Sequence, residues 1–257
     1  MDRSVFPDPD RAVLRVAGAD AETLLQDLVT NNIEGLAPGR LVYAALLTPQ
    51  GKYLFDFFIQ AADGGFLIDI AKARAPAFAQ RLAMYRLRRD AAIETTDLDV
   101  TLIWGGDASP EGALADPRDS GLGWRIYGPA PEATATRADY DALRVRLCAP
   151  ETGRELIEDQ TYILEAGFER LNGVDFRKGC YVGQEVTARM KHKTELKKGL
   201  ARVTIDGAAE EGTALTVEGR PAGTLFTVAG GEGLAHLRFD RAAGEMDAGG
   251  ATVRRAD

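Results

Sequence analysis

The chain has only two cysteines and two histidines in 257 residues, and that scarcity sets the first limit on its chemistry. An iron-sulfur cluster usually takes four cysteine ligands and a structural zinc site four Cys or His. Cys148 and Cys180, with the widely separated His192 and His236, do not assemble either within one chain, so no resident metal is expected. Two cysteines are also too few for a disulfide framework, and a reducing compartment leaves both as thiols. Long apolar runs are missing as well. Stretches such as residues 43–47 fall far short of the roughly 20 residues a bilayer helix needs. The opening M-D-R-S-V-F-P-D-P-D lacks the apolar centre of a secretory signal peptide. These absences point to a cytoplasmic protein with no membrane partner. No nucleotide fingerprint and no internal repeat occur, and the Gly-Gly pairs at 230 and 249 read as turns.

What is present is ordinary for a soluble globular chain, with 45% apolar and 27% charged residues. The net charge of −8 argues against a general nucleic-acid partner. Charge is nevertheless uneven: residues 177–202 hold eight Lys or Arg against Glu185 and Glu195. An anionic ligand near this run and a solvated face both suit that pattern.

Residues 12–17 alternate as a strand, and Asp20 stands as an N-cap before a helical stripe, Leu24, Leu25, Leu28 and Val29, ending near Asn31 and Asn32. Residues 41–47 and 53–60 form a hairpin across Thr48-Pro49-Gln50-Gly51. In its second strand, strict alternation sends Tyr53, Phe55, Phe57 and Ile59 to one face and Leu54, Asp56 and Phe58 to the other. Asp56 is therefore a carboxylate among apolar neighbours. It is a candidate ligand-binding acid, or an edge residue meeting solvent or a local arginine. A strand at 66–70, a helix opened by Pro76, and strands at 91–95 and 100–104 follow. Residues 105–138 read as an irregular connection with one strand at 122–127, and residues 138–147 as a helix. Beyond 198, five short strands at 200–205, 214–218, 223–228, 234–239 and 251–254 suggest a small β-barrel or sandwich.

The most chemically loaded stretch is K-G-C-Y-V-G-Q-E, Lys178 to Glu185. A helix beginning at or just after Gly183 puts Cys180 near a helix N-terminus, which, with Arg177 and Lys178, favours the thiolate. The same composition suits a small buried residue in a tight loop. Gly179 and Gly183 allow positive φ or close approach of a ligand. Gln184 and Glu185 suit either a ligand's polar groups or a helix cap. No histidine spacing marks a partner base for Cys180, and Cys148, among Val145, Leu147 and Ala149, reads as buried and inert.

N-G-V-D-F-R-K-G-C-Y-V-G-Q-E resembles the signature of the YgfZ family, folate-binding proteins implicated in iron-sulfur cluster assembly and repair. V-A-G-A-D-A-E-T-L-L-Q-D-L-V-T-N-N, L-T-P-Q-G-K-Y-L-F-D and G-R-P-A-G-T-L-F-T-V extend the likeness across most of the chain. The resemblance implies an α+β fold similar to the glycine-cleavage T-protein aminomethyltransferase. A folate-binding region at 1–195 would then precede a C-terminal β-barrel domain at 196–257. It further implies tetrahydrofolate as cofactor, iron-sulfur client or assembly proteins as partners, and Cys180 as a redox-active or transient cluster ligand. Asp56, Lys178, Tyr181, Gln184, Glu185 and Arg189 would bind the cofactor. Two departures are visible: Asn32 stands where relatives commonly have Asp, and Arg146 where aminomethyltransferases have a pterin-binding Glu. They favour an assembly factor that need not be an enzyme over the alternative, a folate-dependent one-carbon transferase.

Overall fold

Alternating apolar residues build two antiparallel sheets in the first half of the chain and a closed barrel after residue 197. The structure is a computed structural model that describes residues 3–256 apart from Asp107, Ala130, Thr194 and the side chain of Lys193. Ser4–Pro7 (β1) and Arg11–Ala17 (β2) precede the helix Ala21–Leu28 (α1). Leu41–Leu47 (β3), Tyr53–Ala62 (β4) and Gly65–Ala71 (β5) form a meander, followed by the helix Ala75–Arg86 (α2) and by Ala92–Thr95 (β6). Val100–Trp104 (β7), Leu114–Ala115 (β8) and Trp124–Tyr127 (β9) lead to the helices Arg137–Arg146 (α3) and Gln184–Lys193 (α4). The larger sheet has the order β3-β4-β5-β2-β6 and the smaller β1-β7-β9-β8.

Both faces of β3 and β4 are buried. On one side Ala44, Phe57 and Ile59 pack under Leu24, Leu25 and Leu28 of α1 and Phe78 and Leu82 of α2. On the other, Tyr43, Ala45 and Phe58 meet Phe168, Leu171 and Tyr181. The expected strict alternation fails at one place. Leu46 pairs with Phe55 but Leu47 pairs with Tyr53, so Leu54 is an extra residue bulged out of the ladder. The bulge carries Tyr53 to the face of Asp56 and Phe58, where strict alternation put it opposite them.

Other departures have local causes. α1 stops at Leu28 because Val29 turns extended and bridges to Leu46. Asp20 occupies the N-cap position, but its carboxylate accepts the Asp90 N–H at 2.8 Å instead of capping. Gly123, at φ +73, sits against the Ile103 carbonyl and delays the strand expected at 122–127 until Trp124.

The barrel comprises Lys198–Asp206 (β10), Ala214–Val217 (β11), Arg220–Ala229 (β12), Glu232–Arg238 (β13), Met246–Ala248 (β14) and Ala251–Arg255 (β15), closed in the order β10-β13-β12-β11-β14-β15. Met246–Ala248 is one strand more than the alternation suggests, since only three residues pair there. A buried polar joint fastens the barrel to the body. Arg144 of α3 donates to Thr227 Oγ1 of β12 at 3.1 Å and to Glu155 at 3.3 Å, while Glu155 accepts the Thr227 N–H at 3.2 Å.

Candidate functional site

The segment leading into K-G-C-Y-V-G-Q-E is stitched to the end of α1. Thr30 Oγ1 donates to the Gly173 carbonyl at 2.7 Å, Asn31 Nδ2 donates to the Asn172 carbonyl at 2.6 Å, and the Asp175 N–H reaches the Thr30 carbonyl at 3.1 Å. Gly173 has no room for a side chain, because a Cβ there would lie 2.5 Å from the Phe168 ring.

Within the octet, each neighbour of the thiol has a structural duty. Lys178 Nζ donates to the carbonyls of Gln26 and Val29 at 2.7 and 2.5 Å, a cation on the C-terminal end of α1. Burial pushes its pKa down to about 8. Tyr181 is buried in the aromatic core with Tyr43 and Phe58, and burial raises its pKa. Gly183, at φ +83, lies so close to the Thr48 carbonyl that a Cβ would come within 2.5 Å of it. Gln184 opens α4, its Oε1 accepting the Tyr181 N–H at 3.3 Å, so it ties the turn before the helix. Glu185 and Arg189 are exposed on α4.

Cys180 is exposed. It stands three residues before Gly183 and therefore outside the first turn of α4, where a helix dipole acts. Lys178 turns its charge toward α1. The helix start and the Lys178 ammonium expected beside the thiol therefore lie away from it, and Cys180 is an accessible sulfur on the loop between them. Gly179 has open space around it and no positive φ. Cys148 is half-buried at φ 50, and burial pushes its thiol pKa up.

Asp56 lies elsewhere. Its Oδ2 accepts from the Tyr43 hydroxyl at 3.0 Å, and its Oδ1 accepts from the Tyr53 hydroxyl at 2.8 Å and from Thr152. The tyrosines titrate well above their ordinary range because they are buried and face this carboxylate. The adjoining cavity, about 10 Å³, is lined by Asp8, Arg11, Arg118, Arg125, Tyr140 and Arg144 among others, and by no residue of the octet. Room for about one water is all that volume offers. The aromatic faces beside it are covered: Arg125 stands 3.6 Å and Arg118 4.8 Å from the centre of the Phe58 ring. A second cavity of about 470 Å³ shares Arg11 and Glu151 with the first and is also lined by Thr152, a partner of Asp56. Arg146, expected at a pterin-binding position, is exposed at the end of α3, and the arginine that reaches the cavity is Arg144.

The residues that sequence reasoning missed are the arginines and their acids. Asp69 binds Arg11 at 2.6 Å and Arg125 at 2.7 Å, and Asp116 binds Arg118 at 2.8 Å and Arg125 at 3.2 Å, all of them buried. The guanidinium groups hold Asp69 below the usual carboxylate range, and Asp116 down to about 2. The available signal was Asp69 itself, an acid inside an apolar strand like Asp56. His236 pairs with Glu165 at 3.2 Å, and His192 sets its ring edgewise to Phe176. Among the described residues no three His, Cys, Asp or Glu side chains converge as metal ligands. The basic run includes Thr194, outside the described residues; of the rest, Lys191 pairs with Glu169, and Arg189 and His192 are exposed.

Comparison with known proteins bears on this arrangement. Residues 197–256 match the family described as CAF17, C-terminal beta-barrel domain. The human mitochondrial iron-sulfur cluster assembly factor IBA57 is 31% identical over 92% of this chain and 78% of its own length. The chain belongs to the IBA57 family of iron-sulfur cluster assembly factors. A fungal IBA57 homolog, from Mycosarcoma maydis, is 31% identical over 74% of this chain, which spans only 54% of that protein. The glycine cleavage system aminomethyltransferase T of Bartonella henselae superposes over 99% of this chain and 85% of its own, with a TM-score of 0.77 at 13% identity. The α+β, aminomethyltransferase-like fold ending in a β-barrel is therefore as the motifs implied.

The relatives bear the IBA57 name where the motifs suggested YgfZ. The common ground is iron-sulfur cluster assembly on an aminomethyltransferase-like fold. The cytoplasmic expectation is overturned, since the IBA57 relatives are named mitochondrial. Its premise was weak: lacking an apolar signal core speaks to secretion alone, whereas mitochondrial targeting segments are amphipathic. Among the described residues no helix is long and apolar enough to cross a membrane.

Proposed function

We propose that this chain acts in iron-sulfur cluster assembly by lending the Cys180 thiolate, as a transient ligand, to a cluster held by a client or assembly protein. The observation that carries the reading is the exposure of Cys180 on a loop held on either side by Lys178, Tyr181, Gly183 and Gln184. An anchored loop holds one soft ligand outward at little further cost in ordering on docking. Kinship with the IBA57 assembly factors supports the cluster as cargo. With one exposed thiol, the chain fills one coordination position, and the partner supplies the rest. In that step the thiol loses its proton and the sulfur lone pair enters an iron coordination site, with no change of oxidation state.

Tetrahydrofolate, expected near Asp56, is assigned no step, because this reading rests on the exposed Cys180 thiol. The transferase alternative needs Asp56 to reach an amine, whereas its oxygens accept from Tyr43, Tyr53 and Thr152, a structural setting that favours the assembly reading.

The test is deletion of the gene followed by assay of several iron-sulfur enzymes alongside metal-free enzymes of the same compartment. The expected result is loss confined to the iron-sulfur group and restored by the intact gene. Equal activities with and without the gene would remove the assembly role.

A further inference from the structure

The C-terminal tip of α2 is unlike the rest of the surface. Met84 and Leu87 are 63% and 83% exposed, the large apolar side chains that stand out in solvent among the described residues. Leu87 also holds φ 51 and ψ −108, a conformation that a bulky L-residue rarely adopts. Backbone strain of this kind persists where it serves a function. Beside these two side chains the chain carries Arg81, Arg86, Arg88 and Arg89; Asp27 pairs with Arg89 and Asp20 lines the groove beside Leu87, leaving a net positive tip in a chain whose net charge is −8.

The tip is coupled to the thiol loop through one helix. Arg89 donates to Asp27 of α1 at 2.5 Å, and Lys178 sits on the last carbonyls of that helix. Asp27 lies between Gln26 and Val29, so Arg89 and Lys178 meet the same end of α1, within reach of a single partner across an ordinary interface of about 800 Å² a side.

We propose that the Arg81–Arg89 tip is a second docking point for the protein whose cluster meets Cys180, and that this partner carries an apolar pocket for Leu87 inside an acidic rim. This rests on the reading of Cys180 given above. An apolar anchor within a ring of charge has the anatomy of an interface hot spot, and opposite charge steers the approach. A membrane is the poorer occupant: Ala75, Phe78 and Leu82 of α2 are spent on the core, leaving too little apolar face to lie in a bilayer interface.

The experiment places the photo-crosslinker p-benzoylphenylalanine at position 87 or, separately, at position 179 of the full chain in complemented cells. The same iron-sulfur or cluster-carrying protein is expected from both positions, joined to position 87 through a peptide rich in Asp and Glu. The double variant Arg86→Glu/Arg88→Glu, confirmed as folded by its melting curve, should lower the yield from position 179 about tenfold. No product from position 87, a different protein from the one at 179, or a yield indifferent to charge reversal would overturn the docking point while leaving the Cys180 reading intact. Absence of any product at 179 would count against that reading, and the docking point would fall with it. Leu87-dependent sedimentation with phosphatidylcholine–phosphatidylserine vesicles would assign the tip to a membrane and likewise overturn it.

Discussion

Lys178 Nζ lies 2.5 Å from the carbonyl oxygen of Val29, so the most conspicuous cation of the motif ends α1 and does not face the neighbouring thiol. Lys178→Met leaves the Gln26 and Val29 carbonyls without this donor, and a loss of about 1 kcal/mol in unfolding free energy is expected. The pH dependence has a definite sign. Burial lowers the lysine's pKa from 10.5 in the unfolded chain to about 8, so between those values the unfolded state binds more protons. The penalty is present below pH 8 and is relieved as pH rises to 10.5. Urea titrations at several pH values should show wild type gaining stability across that window relative to Lys178→Met.

Asp56 is expected to behave as a structural acid. Asp56→Ala strands the Tyr43 hydroxyl and leaves those of Tyr53 and Thr152, 2.9 Å apart, with only each other as partners. A loss of about 2–4 kcal/mol is expected, by analogy with other buried hydrogen-bonded charges, and thermal or chemical melts will read it directly.

The buried arginine cluster governs acid stability. Burial alone would raise the pKa of Asp116, but the charges of Arg118 and Arg125 outweigh it and hold it at about 2, below its unfolded value of 3.8. Its contribution, about 2 kcal/mol, is present above the unfolded value and disappears as pH falls toward 2. Asp116→Asn should therefore flatten the acid-unfolding curve in that range. At neutral pH it should cost about 3 kcal/mol or more, because two buried guanidinium groups lose their partner.

The two glycines of the octet separate folding from docking. Gly183→Ala forces a Cβ against the Thr48 carbonyl at positive φ, and a destabilisation of about 1–3 kcal/mol is expected. A Cβ at Gly179 meets nothing within 4 Å in the free protein, so the melting temperature of Gly179→Val should stay near that of wild type. If the partner's backbone approaches Cys180 closely, iron-sulfur enzyme activity should nonetheless fall in cells carrying Gly179→Val.

Much of the frame was legible because two apolar runs flank the turn Thr48-Pro49-Gln50-Gly51 and the barrel strands are punctuated by glycine. The bulge at Leu54 was not, since a single unpaired residue leaves no mark in an alternating pattern. It decides the fate of Asp56: by turning Tyr53 to the same face, it supplies the donor that makes a buried carboxylate tolerable. The octet was visible as a unit, but the duties of its members depend on distant chain. Lys178 reads as a thiol activator until Gln26 and Val29, about 150 residues earlier, are seen to hold it. The arginine cluster escaped notice because its pairs join residues far apart, such as Asp69 with Arg125. Leu87 drew no notice in the sequence, and its exposure and positive φ set it apart.

The most direct test of the central claim compares Cys180→Ser with Asp56→Asn in cells lacking the native gene, scoring iron-sulfur enzyme activity per molecule of folded protein. Cys180→Ser should accumulate and melt like wild type yet fail to restore activity, whereas Asp56→Asn should restore activity in proportion to the folded protein that remains. Full restoration by Cys180→Ser, or a well-folded Asp56→Asn protein without activity, would contradict the account.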